Sequence, residues 1–302
     1  MLDEIRTFVV LAESGSLQRA AERLFLTPSA VTRQIHRLEA TLQTPLLDRR
    51  VKPGRITREG RAVLDGGRHM LRIMDDLKAT ASKDAEPSGK FRIGLSHALA
   101  RPSLVESIQR LTSRFTRLQP VLSTGLRQQL IEQVRVGELE VALGFFAADD
   151  TPPGDVASTV LGTECLVLVR ARGPQPRARR GSKAKDRDLD ARWVLNPTGC
   201  FIRRSLEARL RELGRPFEVA SEINNIDMQL SLVASGIGLG LIPERFLASH
   251  PTRRRLERIT RSGINIEASI VFMQGSHLGR LETAATFLQK DLRDRFAKLD
   301  VR

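Results

Sequence analysis

Between residues 27 and 42, Val31, Ile35, Leu38 and Leu42 recur at i, i+4, i+7 and i+11, while Ser29, Thr32, Arg33, His36 and Arg37 fall between them. That spacing predicts a helix with a greasy stripe on one side and a hydrogen-bonding, cationic face on or beside the other. Such a face suits the base edges of a duplex, where an arginine can donate two hydrogen bonds to one guanine. Other chemistry is poorly provided for. Cys165 and Cys200 form no CxxC pair, the five histidines never fall at metal-ligand spacing, and no HExxH, GxSxG or GxxxxGK[ST] string occurs. The expectation is therefore no catalytic residue, no metal and no cofactor.

The flanking elements are set up to present that face. Thr27-Pro28 supplies an N-cap and a proline at the first helical position. Upstream, Leu2, Ile5, Val9 and Ala12, with Phe8 beside them, predict a helix over 2–13 that stops before Gly15. Ser16 then caps a second helix, whose small Ala20 and Ala21 let a neighbour approach closely. Phe25-Leu26 is a very short connection, so the second and third helices have the layout of a helix-turn-helix. Downstream, Arg49 to Arg55 form a cation-rich turn between two short extended segments. It resembles a wing whose charges reach backbone phosphates, each contact steepening the salt dependence of log K by about 0.9.

Charge agrees with this placement. Lysine and arginine total 49 against 35 acidic residues, a net charge of +14. Residues 17–58 hold nine basic and three acidic side chains, and residues 170–187 hold eight basic residues against Asp186 in a Gly, Pro, Ser and Ala background. The second cluster reads as a loop of open role. Double-stranded DNA is the expected partner. No apolar run is long enough for a membrane span, and the first residues lack the pattern of a secretory signal, so the expected location is cytoplasmic.

Residues 58–81 read as one helix in which Val63, Met70 and Leu77 repeat at seven and Gly67, Met74 and Ala81 fill alternate positions, a short coiled-coil seam. Gly66-Gly67 costs about 1 kcal/mol per glycine against alanine, so the pair marks either close helix packing or a weak spot. Residues 84–90 are polar with Pro and Gly, a hinge. From Phe91 onward, strands and helices alternate, which implies an open α/β sheet long enough for two lobes.

In order and spacing, residues 16–24, 26–39, Leu46-Leu47-Asp48-Arg49 and Ile56-Thr57-Arg58-Glu59-Gly60 resemble the N-terminal signature of the LysR-type transcriptional regulators. Residues 137–144 and 233–243 resemble the signatures of that family's two lobes. The chain departs from the pattern at Gln43, where glycine is usual, at Leu47, where phenylalanine is usual, and at Pro28-Ser29, where Gln-Pro is common. The resemblance implies an all-α winged helix-turn-helix domain over 1–60, a linker helix over 58–83 and a hinge over 84–90. A periplasmic-binding-protein-like α/β effector domain follows over 91–302, with lobe I at 91–162 and 268–302 and lobe II at 163–267. It also implies that Thr27, Ser29, Thr32, Arg33 and Gln34 face the groove and that Arg49, Lys52 and Arg55 touch backbone; Ser16 and Arg37 complete the DNA-contact set. Val63, Met70, Met74 and Leu77 are the dimer-forming residues it implies, in a homo-oligomer that is a dimer through the linker helices or a tetramer built on it.

Open α/β sheets take ligands beyond the carboxyl ends of their strands. The loops there offer Ser96, His97, Arg127, Gln128, Thr198 and Asn225 as polar contacts and Phe146 and Phe201 as apolar walls for a small effector, with Arg127 hinting at an anion. Each of these loop residues is equally a helix-cap or turn former. Cys200 beside a helix N-terminus is either a thiol of depressed pKa or an inert small side chain. The functional expectation is a ligand-responsive DNA-binding regulator. Its alternatives are an enzyme acting on a small organic acid and an effector-free DNA binder.

Overall fold

The computed structural model describes residues 1–50, 54–81, 86–101, 104–147, 150, 152–173, 189, 191–260, 263–276 and 278–300. Lys52, His277 and most of the basic 170–187 segment lie outside the described residues.

The N-terminal head is built from α1 (Leu2–Ser14), α2 (Leu17–Leu24) and α3 (Pro28–Leu42), followed by the two-residue strands β1 (Leu47–Asp48) and β2 (Arg55–Ile56). Gly15 ends α1 in the left-handed region, donating its N–H to the Leu11 carbonyl at 3.0 Å. Thr27 caps α3 by accepting the Ala30 N–H at 3.2 Å. Ser16 holds the N-cap position of α2 with an extended backbone, but its side chain makes no cap bond. The apolar stripe of α3 is shorter than its period suggests: Val31, Ile35 and Leu38 are buried, whereas Leu42 is exposed. Ile35 and Leu38 join Ile5, Phe8, Val9, Leu46 and Leu64 in one cluster.

The linker helix α4 (Arg58–Ala81) starts on the head. A Cβ at Gly67 would sit 2.9 Å from the Ile5 Cγ2 atom and 3.3 Å from that of Val9, so the glycine marks close packing of α4 on α1 rather than a weak spot. Val63, expected in a dimer seam, packs instead against the head cluster together with Leu71. Met74 is half-buried, and Met70, Ile73 and Leu77 are the large apolar residues left exposed along α4 among the described residues.

The C-terminal part comprises β3 (Gly89–Ser96), α5 (Val105–Arg114), β4 (Leu118–Gly125), α6 (Arg127–Arg135), β5 (Val141–Ala147), β6 (Ala157–Ala171), β7 (Trp193–Leu195), α7 (Phe201–Glu212), β8 (Val219–Glu222), α8 (Ile226–Ala234), β9 (Gly240–Pro243), α9 (Glu244–Ser249), β10 (Leu256–Ile259), β11 (Ile266–Gln274) and α10 (Glu282–Asp300). β3 runs parallel to β4 and β5, and β11 runs antiparallel to β5 and β6, in the order β10-β6-β11-β5-β3-β4. β6 is one strand of 15 residues. Its first part pairs with β11, and its last part pairs with β9 and β10. The β6–β11 register skips Leu161, at the place where the sequence suggests a crossing between lobes. β7 and β8 form a separate parallel pair beside β9, with Trp193 fully buried. Residues Val141 to Phe146 of β5 are buried without alternation, as expected of a strand covered on both faces.

Two backbone positions in the head set its stability. A Cβ on Gly60 would overlap the Leu46 carbonyl oxygen and press on Ile56, so Gly60→Ala is expected to destabilise the head by about 2–3 kcal/mol. Gln43 ends α3 at φ 51, where glycine is unstrained. Gln43→Gly is expected to add about 0.5–1 kcal/mol. Urea unfolding of the full chain checks both signs.

Candidate nucleic-acid interface and effector cleft

Burial of Val31, Ile35 and Leu38 fixes the roll of α3, so Ser29, Arg33 and Arg37 lie exposed on its other side. Arg33 has no hydrogen-bond or ion-pair partner among the described residues, which leaves its full set of donors available. Not every expected groove residue is equally free. The Thr27 hydroxyl serves the helix cap and lies 3.0 Å from that of Ser29, while Thr32 donates to the Pro28 carbonyl at 2.9 Å, a common back-bond for helical threonine. Gln34 needs a correction. It sits at the edge of the buried stripe, facing α1, and its side-chain oxygen accepts a hydrogen bond from Thr7, so this half-buried amide braces the head.

The wing has a structural base that the sequence reading did not foresee. Glu39, on the inner side of α3, accepts the N–H groups of Leu46 at 2.8 Å and Leu47 at 3.2 Å and pairs with Arg49 at 2.7 Å. Burial works to raise the Glu39 carboxyl, but the Arg49 hydrogen bond and the two amides outweigh it and hold the group below its ordinary value of 4.5. Arg50 makes a two-pronged contact with Asp48, holding that carboxyl down at about 2. Arg49 therefore has a structural partner, although its side chain stays 47% exposed. Arg55 on β2 is exposed and unpaired among the described residues.

In the α/β part, the parallel strands β3 and β4 end together at Ser96 and Gly125, and β5 beside them runs on to Ala147. Ser96 is half-buried, with its hydroxyl near Gly144 and the Phe146 ring, and His97 follows it in a short 3-10 turn. Arg127 opens α6 beside them. Only 12% of its side chain is exposed, its guanidinium lies 4.7 Å above the Phe146 ring, and it pairs with Asp150. A Cβ on Gly199, which precedes α7, would lie 3.4 Å from the Leu126 Cδ1 atom, so the start of α7 packs against the start of α6.

Several expected cleft contacts take other roles. Asn225 accepts the Met228 N–H at 2.8 Å and is the N-cap of α8. Phe201 is buried within the main hydrophobic cluster rather than forming an open wall, and Phe146 lies beneath Arg127. Gln128 is exposed, whereas the next residue, Gln129, reaches back to the Leu126 N–H. Thr198 remains exposed. Burial pushes the Cys200 thiol up despite nearby amides, which removes the reading of a depressed, activated thiol. On β6, fully buried Glu164 accepts the Arg245 N–H at 3.0 Å and faces Arg101 at 3.5 Å.

Two family models cover nearly the whole chain. The bacterial regulatory helix-turn-helix protein, lysR family, matches residues 2–61, and the LysR substrate binding domain matches residues 84–292. The chain belongs to the LysR family. It is 28% identical over 265 residues to the transcriptional activator IlvY of Salmonella typhimurium, covering 86% of this chain and 89% of that one. Its fold is similar to that of full-length CbnR solved with its target DNA (TM-score 0.63, 18% identity, 97% and 99% coverage). It is likewise similar to LysG of Corynebacterium glutamicum solved with bound arginine (TM-score 0.66, 18% identity, 98% of each chain).

This LysR-family member is a DNA-binding transcriptional regulator with an effector-binding domain, and not an enzyme. No helix of the described residues is long and apolar enough to cross a membrane. Glu39, Asp150 and the Thr7–Gln34 brace are the site residues that sequence reasoning missed. The signal for Glu39 was a lone acid on the buried side of a basic helix.

Because the folded pKa of Glu39 is depressed, its contribution is present above about 4.5 and is lost as pH falls through the lower folded value. Glu39→Gln is expected to cost about 2–3 kcal/mol near neutral pH. The gap to wild type should close on acidification, as read by urea unfolding between about pH 6 and pH 3.

Proposed function

We propose that this regulator senses a small carboxylate-bearing effector at Arg127 and reads two DNA half-sites as a dimer, with α3 in the major groove. The observation that carries the effector reading is Arg127 itself: a cation mostly withdrawn from water, just past the carboxyl end of β4 beside that of β3, backed by Phe146 and countered only by the partly exposed Asp150 among the described acids. An effector carboxylate can replace Asp150 on the guanidinium without leaving a buried charge unpaired. The arginine bound to LysG also carries a carboxylate. Arg33 is the leading base reader and Ser29 its neighbour, with Thr27, Thr32, Arg37 and Arg55 beside them.

For the dimer, Met70, Ile73 and Leu77 lie on one side of α4 at spacings of three and four, 41%, 38% and 59% exposed. A second copy of the same stripe would cover them, and two heads so joined can engage half-sites about one helical turn apart.

A panel of small organic acids tested by thermal shift should contain one that stabilises the full chain, by about 2.7 kcal/mol at 100 times its Kd. Arg127→Ala should abolish that shift and Asp150→Asn should tighten binding about tenfold. If no acid binds, or if Arg127→Ala binds it as well as wild type does, the effector reading fails. Leu77→Glu is expected to give monomers in light scattering and to weaken DNA binding more than about tenfold at equal chain concentration. A dimer that survives this change would place the interface elsewhere.

A further inference from the structure

Phe25 closes α2 in the left-handed backbone region at φ 55, and its side chain is 96% exposed. Each feature is unfavourable for a bulky apolar residue, and asparagine or glycine would relieve both. The turn does not need the ring: the N–H of Phe25 bonds to the Glu22 carbonyl at 3.3 Å and that of Leu26 to the Ala21 carbonyl at 2.9 Å, contacts available to any side chain there. The ring must therefore earn its place outside the chain.

Position and charge say what covers it. Phe25 lies two residues before Thr27, the N-cap of α3, so its Cα is within about 7 Å of that helix end. In a helix-turn-helix the N-terminal residues of the second helix are the ones that meet base edges. Residues 17–37 carry four arginines and one glutamate, a surface that attracts a polyanion and repels a copy of itself. We propose that Phe25 is a DNA-contact residue that packs on the 5-methyl group of a thymine at the edge of each half-site. That methyl is the apolar group a base pair presents in the major groove, and phenylalanine is among the side chains that recognise it. The inference rests on the reading of α3 as the groove helix.

The experiment uses the full-length protein and, as probe, a duplex it selects from a randomised pool, at one fixed salt concentration. Phe25→Asn should weaken binding about five- to tenfold while thermal unfolding stays level or rises, because asparagine suits the backbone. Replacing thymines one at a time by uracil should reveal one position per half-site that weakens wild type by a similar factor and leaves Phe25→Asn unaffected. Retained affinity in Phe25→Asn overturns the proposal and points to a protein surface as the ring's partner. Lost affinity without coupling to any uracil also overturns it, in favour of a sugar contact. Arg33→Ala separates the two readings: if it too binds like wild type, the groove assignment of α3 falls, whereas if it binds weakly beside an unaffected Phe25→Asn, only the present inference does.

Discussion

The close approach of α4 to α1 at Gly67 is the constraint on which the arrangement of the molecule depends. With no side chain there, Ile5 and Val9 reach the linker backbone, and Leu64 enters the same cluster as Ile35 and Leu38 of the recognition helix. Head and linker are thus one packed body, because a cluster at interior density does not bend continuously. Wherever the linker points, α3 follows. This is why a helix that leaves the head with a bare apolar stripe also fixes where the two recognition faces of an assembled regulator would stand.

Arg68, the next residue, extends that body toward the effector domain. Its guanidinium lies 2.5 Å from Glu138 and 3.7 Å from Glu13 of α1, with Asp65 at 3.8 Å. Burial together with the Glu138 charge raises the Asp65 carboxyl, so one arginine is balancing three acids contributed by head, linker and lobe I. Glu138 also accepts from Gln133 at 3.3 Å near the end of α6, and Arg127 stands at the other end of the same helix, nine residues or about 13 Å in length. Were a ligand to reposition Arg127, it would act on an element whose far end connects to the linker through Gln133, Glu138 and Arg68. The buried ion pairing of Glu140 with Arg92 holds the turn after α6 against β3, which limits how that displacement can dissipate.

Much of this was legible in the chain because local signals and tertiary packing agree. Thr27-Pro28 starts α3 where its chemistry says a helix starts, the helices of the head and the longer strands and helices of the α/β part follow their periodicities, and the cation-rich turn marks the wing. Two of the failures involve a partner distant in sequence. Val63 keeps the heptad spacing of a seam residue but is claimed by the head cluster, and Gln34 is polar and helical yet faces Thr7. Asn225 satisfies both the pattern of a ligand loop and the local need of a helix start, and the local need prevails, whereas Phe201 is drawn into the main hydrophobic cluster. The strand β10 and helix α9 have too few residues to show a period.

The excess of positive charge resolves on the same terms. In the α/β part, many arginines have assigned acids: Arg110 with Asp291, Arg135 with Asp155, Arg203 with Glu222 and Arg258 with Glu244. Such pairs are mostly near the surface and contribute little stability each, but they cancel the local field. In the head, Arg49 and Arg50 are likewise spent on Glu39 and Asp48, whereas Arg19, Arg33 and Arg55 have no ion-pair partner among the described residues. Composition alone counts all of these equally. The structure separates the cations that hold the wing and the α/β part in shape from those left without an acid, and Arg19, Arg33 and Arg55 put part of the second group on α2, α3 and the wing.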